Sequence, residues 1–242
     1  MIAAGMKPKR LILKVSGELF SSNENHISFD KYNEVASRIL SIVEETGIQL
    51  AMVVGGGNIF RGRERNKEVD HLEADSMGMM ATVINGIALR EALVRKGAEE
   101  TRLMTACHIP DFAEPYIRLK AQHHLKSHRL VILAGGLGKP SFSTDSAVAQ
   151  YANELHCNMV LKASTVDGVY DKDPKIFPDA VKFKKIKYQE AMEKGLKVMD
   201  QTAFAMCMLS EIPIFVFDIK DLGKIPDIIN EDFSFGSLIS SS

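Results

Sequence analysis

Leu50-Ala51-Met52-Val53-Val54-Gly55-Gly56-Gly57-Asn58 is the stretch that decides the fold. Residues 50–54 are all apolar, so a strand here has no face left for water; that is the mark of a parallel strand covered on both sides. The glycines at 55–57 then form a turn at its carboxyl end, where a backbone without side chains can approach an anion and adopt positive φ. The same pairing of apolar run and glycine turn recurs in Leu13-Lys14-Val15-Ser16-Gly17-Glu18 and in Ala134-Gly135-Gly136-Leu137-Gly138. One such turn is a common structural device. Three at corresponding places point to backbone amides gathered around phosphate.

Further apolar runs of strand length lie at 11–15, 130–134, 159–162 and 214–217. The segments 30–46, 76–96, 113–127 and 145–156 between them read as helices. In 76–96 a broad apolar face (Met77, Met80, Val83, Ile84, Ile87, Ala88 and Leu93) predicts a core helix or a helix–helix interface. Alternation of this kind predicts an α/β fold: a single three-layer αβα domain with a central, mostly parallel sheet and ligands at the carboxyl ends of the strands. A softer division falls near residue 155, with the phosphate acceptor expected before it and the nucleotide donor after it. Segment 171–187, rich in Asp, Pro and Lys, reads as a surface excursion or hairpin.

Composition narrows the function classes. The 242 residues are 45% hydrophobic and 25% charged, with a net charge of -1. Nothing in that balance attracts nucleic acid or a membrane in bulk, so an anionic substrate must be met locally. Cys107, Cys157 and Cys207 form no C-x-x-C pair and sit in core-like contexts, which argues against a disulfide framework or zinc site and for a reducing compartment. The opening MIAAGMKPKR has no long apolar region and no apolar run approaches the ~20 residues of a membrane helix, so the expected location is cytoplasmic.

Certain residues stand out as carriers of chemistry. Lys14 interrupts an apolar strand just before Ser16-Gly17; it either snorkels to water or neutralises charge on a transferred phosphoryl group, and the neighbouring glycine favours the second. In Ser143-Thr144-Asp145-Ser146, Asp145 reads either as an N-cap or as a carboxylate that orients Lys14 or the metal's surroundings. Asp167-Gly168-Val169-Tyr170 with Asp173-Pro174 is either a turn built on Asx motifs or a nucleoside pocket walled by Tyr170. Neither a P-loop, nor a G-x-G-x-x-G opening a helix after a strand, nor a protein-kinase H-R-D or D-F-G set is present. His71, His108, His123, His124 and His128 lack metal spacing and are expected on solvated or interfacial faces, and no residue is assigned as a metal ligand.

KVSGE at 14–18, GGGNIFRG at 55–62, DSMGMMATVINGIAL at 75–89, STDSA at 143–147, LKASTVDGVYDKDP at 161–174 and LKVMD at 196–200 occur in this order. Together, and from about residue 10 to about residue 239, they resemble the bacterial uridylate kinases of the amino acid kinase superfamily. The resemblance implies the carbamate kinase-like fold and transfer of the γ-phosphate of ATP to UMP, giving UDP and ADP, with Mg2+. It places the UMP part at about 10–155 and the ATP part at about 156–239. It implies that Lys14, Val15, Ser16, Gly17, Gly57, Arg61, Ser164, Tyr170 and Asp173 meet ATP. Gly56, Asp75 and the run Leu137, Gly138, Lys139, Pro140, Ser141, Phe142, Ser143 and Thr144 then meet UMP, with Asp75 on the ribose hydroxyls. Lys14, Asp145 and Asp200 are the implied catalytic set. A homohexamer built from dimers packed through the long helix is implied too, as is inhibition by UTP.

The sequence departs from that family between the first strand and first helix, where 21–26 contains no glycine. Arg90, Arg102 and Arg129 fall where the family places effector-site arginines, but the His and aromatic partners found in some members do not accompany them, so activation by GTP is left open. Position 164 is Ser rather than Thr, which keeps the hydroxyl. Two other readings compete: a kinase of carbamate, acetylglutamate or aspartate, and a non-catalytic nucleotide-binding or oxyanion-storage protein. Arg61 and Asp75 weigh against the first, and the presence of both Lys14 and Asp145 weighs against the second.

Overall fold

The computed structural model describes residues 9–61, 69–196 and 198–241; the opening stretch read for a leader lies largely outside them. The chain runs β1 (Arg10–Val15), α1 (Phe29–Thr46), β2 (Gln49–Val54), α2 (His71–Arg95), β3 (Arg102–Thr105), β4 (Glu114–Pro115), α3 (Arg118–Lys126), β5 (Val131–Ala134) and α4 (Thr144–Glu154). It continues through β6 (Met159–Ser164), β7 (Val169–Tyr170), β8 (Lys182–Phe183), β9 (Lys185–Lys187), α5 (Tyr188–Glu193), α6 (Gln201–Leu209), β10 (Ile214–Asp218), α7 (Ile225–Ile229) and β11 (Gly236–Ser240).

A nine-stranded sheet has the order β4-β3-β5-β2-β1-β6-β10-β11-β9, and every neighbouring pair is parallel except β10 with β11. The two-residue period of a strand sorts its side chains between two cores. Leu11, Leu13, Leu50, Met52, Ile132, Leu161, Phe215 and Phe217 pack on one face with Tyr32 and Ile39 of α1, Leu89 of α2 and Ile228 of α7. Ile12, Val53, Leu133, Val160 and Ile214 pack on the other with Leu125 of α3, Val148 of α4, Tyr188 of α5 and Cys207 of α6. The three layers and mostly parallel sheet are those expected from the alternating runs. The segment 171–187 contains one arm of the antiparallel β7–β8 hairpin, as its composition suggested.

Some elements differ from the sequence reading. The helix read over 113–127 begins only at Arg118, because residues 114–115 pair with Met104 and Thr105 as a strand. Pro115 explains this: it disfavours helical geometry at the residue before it and cannot donate within a helix. The long helix starts earlier than 76, where Asp70 caps it by accepting from Leu72 N–H at 2.8 Å. By length and composition this 25-residue helix could cross a membrane. Here it packs on α1 and on β2, β3 and β5, with Ala74, Val83, Asn85, Leu89 and Leu93 buried. Met77, Met80 and Ile84 point outward and stay exposed.

Candidate active site

The three glycine turns follow β1, β2 and β5, which are adjacent and parallel, so all three open at one edge of the sheet. Close packing fixes them to one another. A Cβ on Gly17 would stand 2.5 Å from Asn58 Oδ1 and 2.7 Å from the Gly57 nitrogen. Gly56 leans on α2, where a Cβ would lie 2.8 Å from that of Ala81. Beneath them lies a buried polar network. Asn85 donates to the Gly55 carbonyl and to Asn58 Oδ1, both at 2.7 Å, and accepts from Tyr32 Oη at 2.6 Å. Asn58 in turn donates to the His26 carbonyl at 2.8 Å. Burial pushes the Tyr32 hydroxyl up to about 12, against a smaller opposing effect of Asn58, so at neutral pH it remains a donor.

Lys14 shares a strand face with Ile12 and therefore points toward α4. Its Nζ lies 2.7 Å from Asp145 Oδ1. The same carboxylate has a second cation that the sequence reading did not single out. Lys162 of β6 is the register partner of Lys14, and its Nζ donates to Asp145 Oδ2 at 2.9 Å and to the Val198 carbonyl at 2.6 Å. Burial works to raise the Asp145 pKa, but the ammoniums of Lys14 and Lys162 outweigh it and hold the carboxyl below the usual range. For Lys162, burial lowers the pKa and wins over the attraction of Asp145.

Asp145 is not the N-cap that its position suggested. Ser143 caps α4, its hydroxyl accepting from Asp145 N–H at 2.9 Å and Ser146 N–H at 3.1 Å. Asp145 sits in the first turn, free to face the lysines. The Ser143 hydroxyl also donates to Asp200 Oδ2, and Ser146 Oγ donates to the same oxygen at 3.2 Å. Asp200 itself caps α6 through Ala203 N–H at 2.8 Å. It therefore fastens the start of α6 to the start of α4, and acts on Lys162 only through its field.

The other singled-out residues divide between two cavities. One, of about 210 Å³, is lined by Gly56, Gly57, Asp75, Gly78, Lys139, Phe142, Ser143 and Thr144. Asp75 Oδ2 accepts from Ser141 N–H at 2.7 Å, and Ser141 holds φ at +70°. Gly135 donates its N–H to Thr82 Oγ1 of α2 at 2.7 Å, which fixes the start of the same loop, and Gly138 turns at φ +69°. Leu137 and Pro140 complete this run without lining the cavity. Gly78 costs α2 about 1 kcal/mol relative to alanine, yet a Cβ there would meet nothing within 4 Å. The chain's own packing does not demand that glycine; the cavity it borders gains the room.

The second cavity, of about 510 Å³, is lined by Ser164, Tyr170, Asp173, Lys162 and Val198 among others. Tyr170 Oη donates to Asp167 Oδ1 at 2.6 Å, which raises the tyrosine pKa to about 12, and Lys182 holds Asp167 at 3.0 Å. Asp173 Oδ1 accepts from Lys175 N–H at 2.9 Å, so the Asx turn and the pocket wall exist together. A channel of about 250 Å³, lined by Lys14, Ser16, Glu18, Lys162 and Ser164, adjoins this cavity through Lys162 and Ser164. Val15 is buried at the end of β1, and its carbonyl accepts from Gly55 N–H at 2.8 Å. Arg61 joins the first two glycine turns, donating to the Gly57 carbonyl at 3.0 Å and to Glu18 at 2.6 Å. Two cavities, a cationic pair and three amide-rich turns suit the transfer of a charged group between two bound molecules.

Residues 9–218 match the Amino acid kinase family. The chain belongs to that family. Among amino acid kinases it is similar to the uridylate kinase of Corynebacterium glutamicum, 42% identical over 96% of this chain and 95% of the relative. Its structure is similar to the UMP kinase of Bacillus anthracis, with TM-score 0.93 and 36% identity over 98% of each chain. It is also similar to the UMP kinase of Ureaplasma parvum, with TM-score 0.90 and 34% identity over 97% of this chain and 100% of the other. His124 corrects one expectation, since it is buried, with Glu114 Oε2 at 3.2 Å and Arg129 at 3.2 Å. Among the described residues no group of His, Cys, Asp or Glu side chains is placed to hold a metal.

Proposed function

We propose that this chain is a uridylate kinase that transfers the γ-phosphate of ATP to UMP, giving UDP and ADP. The observation that carries the reading is the Lys14–Asp145 pair, set where three glycine turns converge. UMP occupies the cavity of Gly56, Asp75, Phe142 and Thr144, with its ribose hydroxyls toward Asp75, whose ionised carboxylate accepts only. ATP places its nucleoside between Ser164, Tyr170 and Asp173, and its phosphates along Lys14, Ser16 and Gly17. An oxygen of the UMP phosphate attacks the γ-phosphorus and the bond to ADP breaks. No side chain need form a covalent bond; positioning and charge stabilisation do the work. The similarity to uridylate kinases over nearly the whole chain supports this assignment.

The divalent metal that a kinase of this kind uses with ATP is Mg2+ in this reading. The carboxylates nearest the channel do not form a cage for it: Asp145 is paired with two lysines, and Asp200 accepts from the start of α6 and from two serines. The metal accordingly travels with the nucleotide phosphates, whose charge it shields. Residues 10–155 form the UMP part and 156–239 the ATP part. The exposed stripe of Met77, Met80 and Ile84 supports packing through α2 into dimers and a homohexamer. UTP is the expected inhibitor of a cytoplasmic enzyme in pyrimidine nucleotide (CTP and UTP) synthesis. Activation by GTP stays open, because Arg102 and Arg129 are both engaged by Glu100 at 2.7 Å.

A coupled assay of ADP release, with ATP, Mg2+ and UMP, CMP, dUMP or AMP in turn, tests the reading. Strong turnover with UMP and much weaker turnover with dUMP is expected. Folded protein that binds ATP but turns over no nucleoside monophosphate overturns it.

A further inference from the structure

Lys162 has more donors than its protein partners use. An ammonium carries three N–H groups. Asp145 and the Val198 carbonyl take two, and no described residue takes the third. Asp145, moreover, already has Lys14 at 2.7 Å, so neutralising that carboxylate does not require a second cation. Placing one there is unfavourable on two counts. The Lys162 side chain is only 15% exposed, and the like charge of Lys14 adds to burial in opposing its protonated form. Buried cations of this kind persist where a further anion completes their surroundings.

The position indicates where that anion comes from. Lys162 borders both the cavity of Tyr170 and Asp173 and the channel of Lys14 and Ser16. A nucleotide with its nucleoside in the cavity and its terminal phosphate near Lys14 must run its phosphate chain past this side chain. We propose that Lys162 is a second phosphate-contacting cation, whose third N–H takes an oxygen of the donor's phosphate chain while Lys14 serves the transferred group. Asp145, bound to both, fixes the spacing between the two ammoniums. This assignment rests on the kinase reading and extends it to a residue outside the Lys14, Asp145 and Asp200 set.

Calorimetric titration of adenosine, ADP, ATP and UMP into wild type, Lys162→Met and Lys162→Arg tests it. In wild type, affinity rises from adenosine to ADP to ATP. Lys162→Met should lose at least about tenfold in ADP and ATP affinity, as loss of a charged hydrogen bond does, while adenosine and UMP bind within twofold of wild type. Lys162→Arg, which keeps the charge, should recover most of the loss. A merely structural role would weaken adenosine and UMP in the same proportion, and that outcome overturns the proposal, as does unchanged ADP affinity. If Lys162→Met fails to fold, Lys162→Gln, which can still donate to Val198, is judged by the same criteria. The uridylate reading falls separately: wild type with this phosphate-dependent binding but without UMP turnover loses that reading and keeps Lys162. Wild type that binds no nucleotide overturns both.

Discussion

Ser141 donates its backbone N–H to Asp75 Oδ2 at 2.7 Å while holding φ at +70°, a left-handed conformation that a residue with a Cβ adopts at a cost. One carboxylate on α2 thus braces the loop that carries Ser141, and in the proposed reading its other oxygen takes the UMP ribose. Asp75→Ala removes both effects. A hydrogen bond to a charged group contributes about 1.5–3 kcal/mol, so KM for UMP should rise roughly ten- to a hundredfold. Asp75→Asn keeps an acceptor for Ser141 and should be milder. Both should erase the preference for UMP over dUMP in steady-state assays; undiminished preference in Asp75→Ala would remove the ribose from this residue.

Lys14→Ala should lower turnover by about three orders of magnitude, the scale of losing a transition-state charge contact. UMP affinity, measured by direct titration, should stay close to wild type. Normal kcat at saturation combined with lost UMP binding would refute the role given to Lys14.

Asp145 makes a prediction with a sign. Its folded-state pKa is depressed, so the stabilisation it confers is complete above the unfolded value of about 3.9 and disappears as pH falls through the lower folded value. Asp145→Asn leaves Lys14 and Lys162 unpaired in a largely buried site and should cost about 3–5 kcal/mol at pH 7. Urea midpoints compared between pH 7 and pH 3 should show a constant gap down to about pH 4 that narrows only below it. A gap already closing between pH 7 and 5 would mean that the carboxyl is raised rather than lowered.

Asn85 should matter for stability rather than chemistry. Asn85→Leu fills the same space but strands the Gly55 carbonyl, the Tyr32 hydroxyl and part of the Asn58 amide. Each orphaned buried group costs about 1–3 kcal/mol, so unfolding should come at clearly lower denaturant. Tyr32→Phe, which removes only the hydroxyl, should cost less. An unmoved urea midpoint for Asn85→Leu would show that the network under the glycine turns is not stabilising.

The strands were legible because burial on both faces writes itself into unbroken apolar runs. Lys14 was legible for the converse reason, as a charge inside such a run. Lys162 carried the same signal, but the run 159–162 ended on it, so it looked like a strand terminus; the strand in fact continues to Ser164. The cap of α4 lay two residues from where Asp145 suggested, since Ser143 and Asp145 are both good capping types and only the backbone decides between them. Helix α6, QTAFAMCML, is apolar around its circumference and so has no helical period to read; its signal was the cap, Asp200. His124 gave no sign that Glu114 would fold over it, because β4 was read as helix.

Helix α2 is engaged over most of its circumference, and the part left exposed at its middle is apolar. One flank places Asp75 and Gly78 at the cavity of Gly56 and Phe142, another sends Thr82 to Gly135 and Asn85 to Gly55, Gly86 makes room for Leu103, and Met77, Met80 and Ile84 form the outward stripe. Most surface helices keep a solvent face on which substitutions drift freely. Here the exposed face is itself apolar at Met77, Met80 and Ile84, the stripe that the proposed dimer would cover. In a saturation mutagenesis screen for growth the helix should therefore appear as a continuous intolerant band, without the every-third-or-fourth rhythm of permissive positions that ordinarily betrays an amphipathic helix.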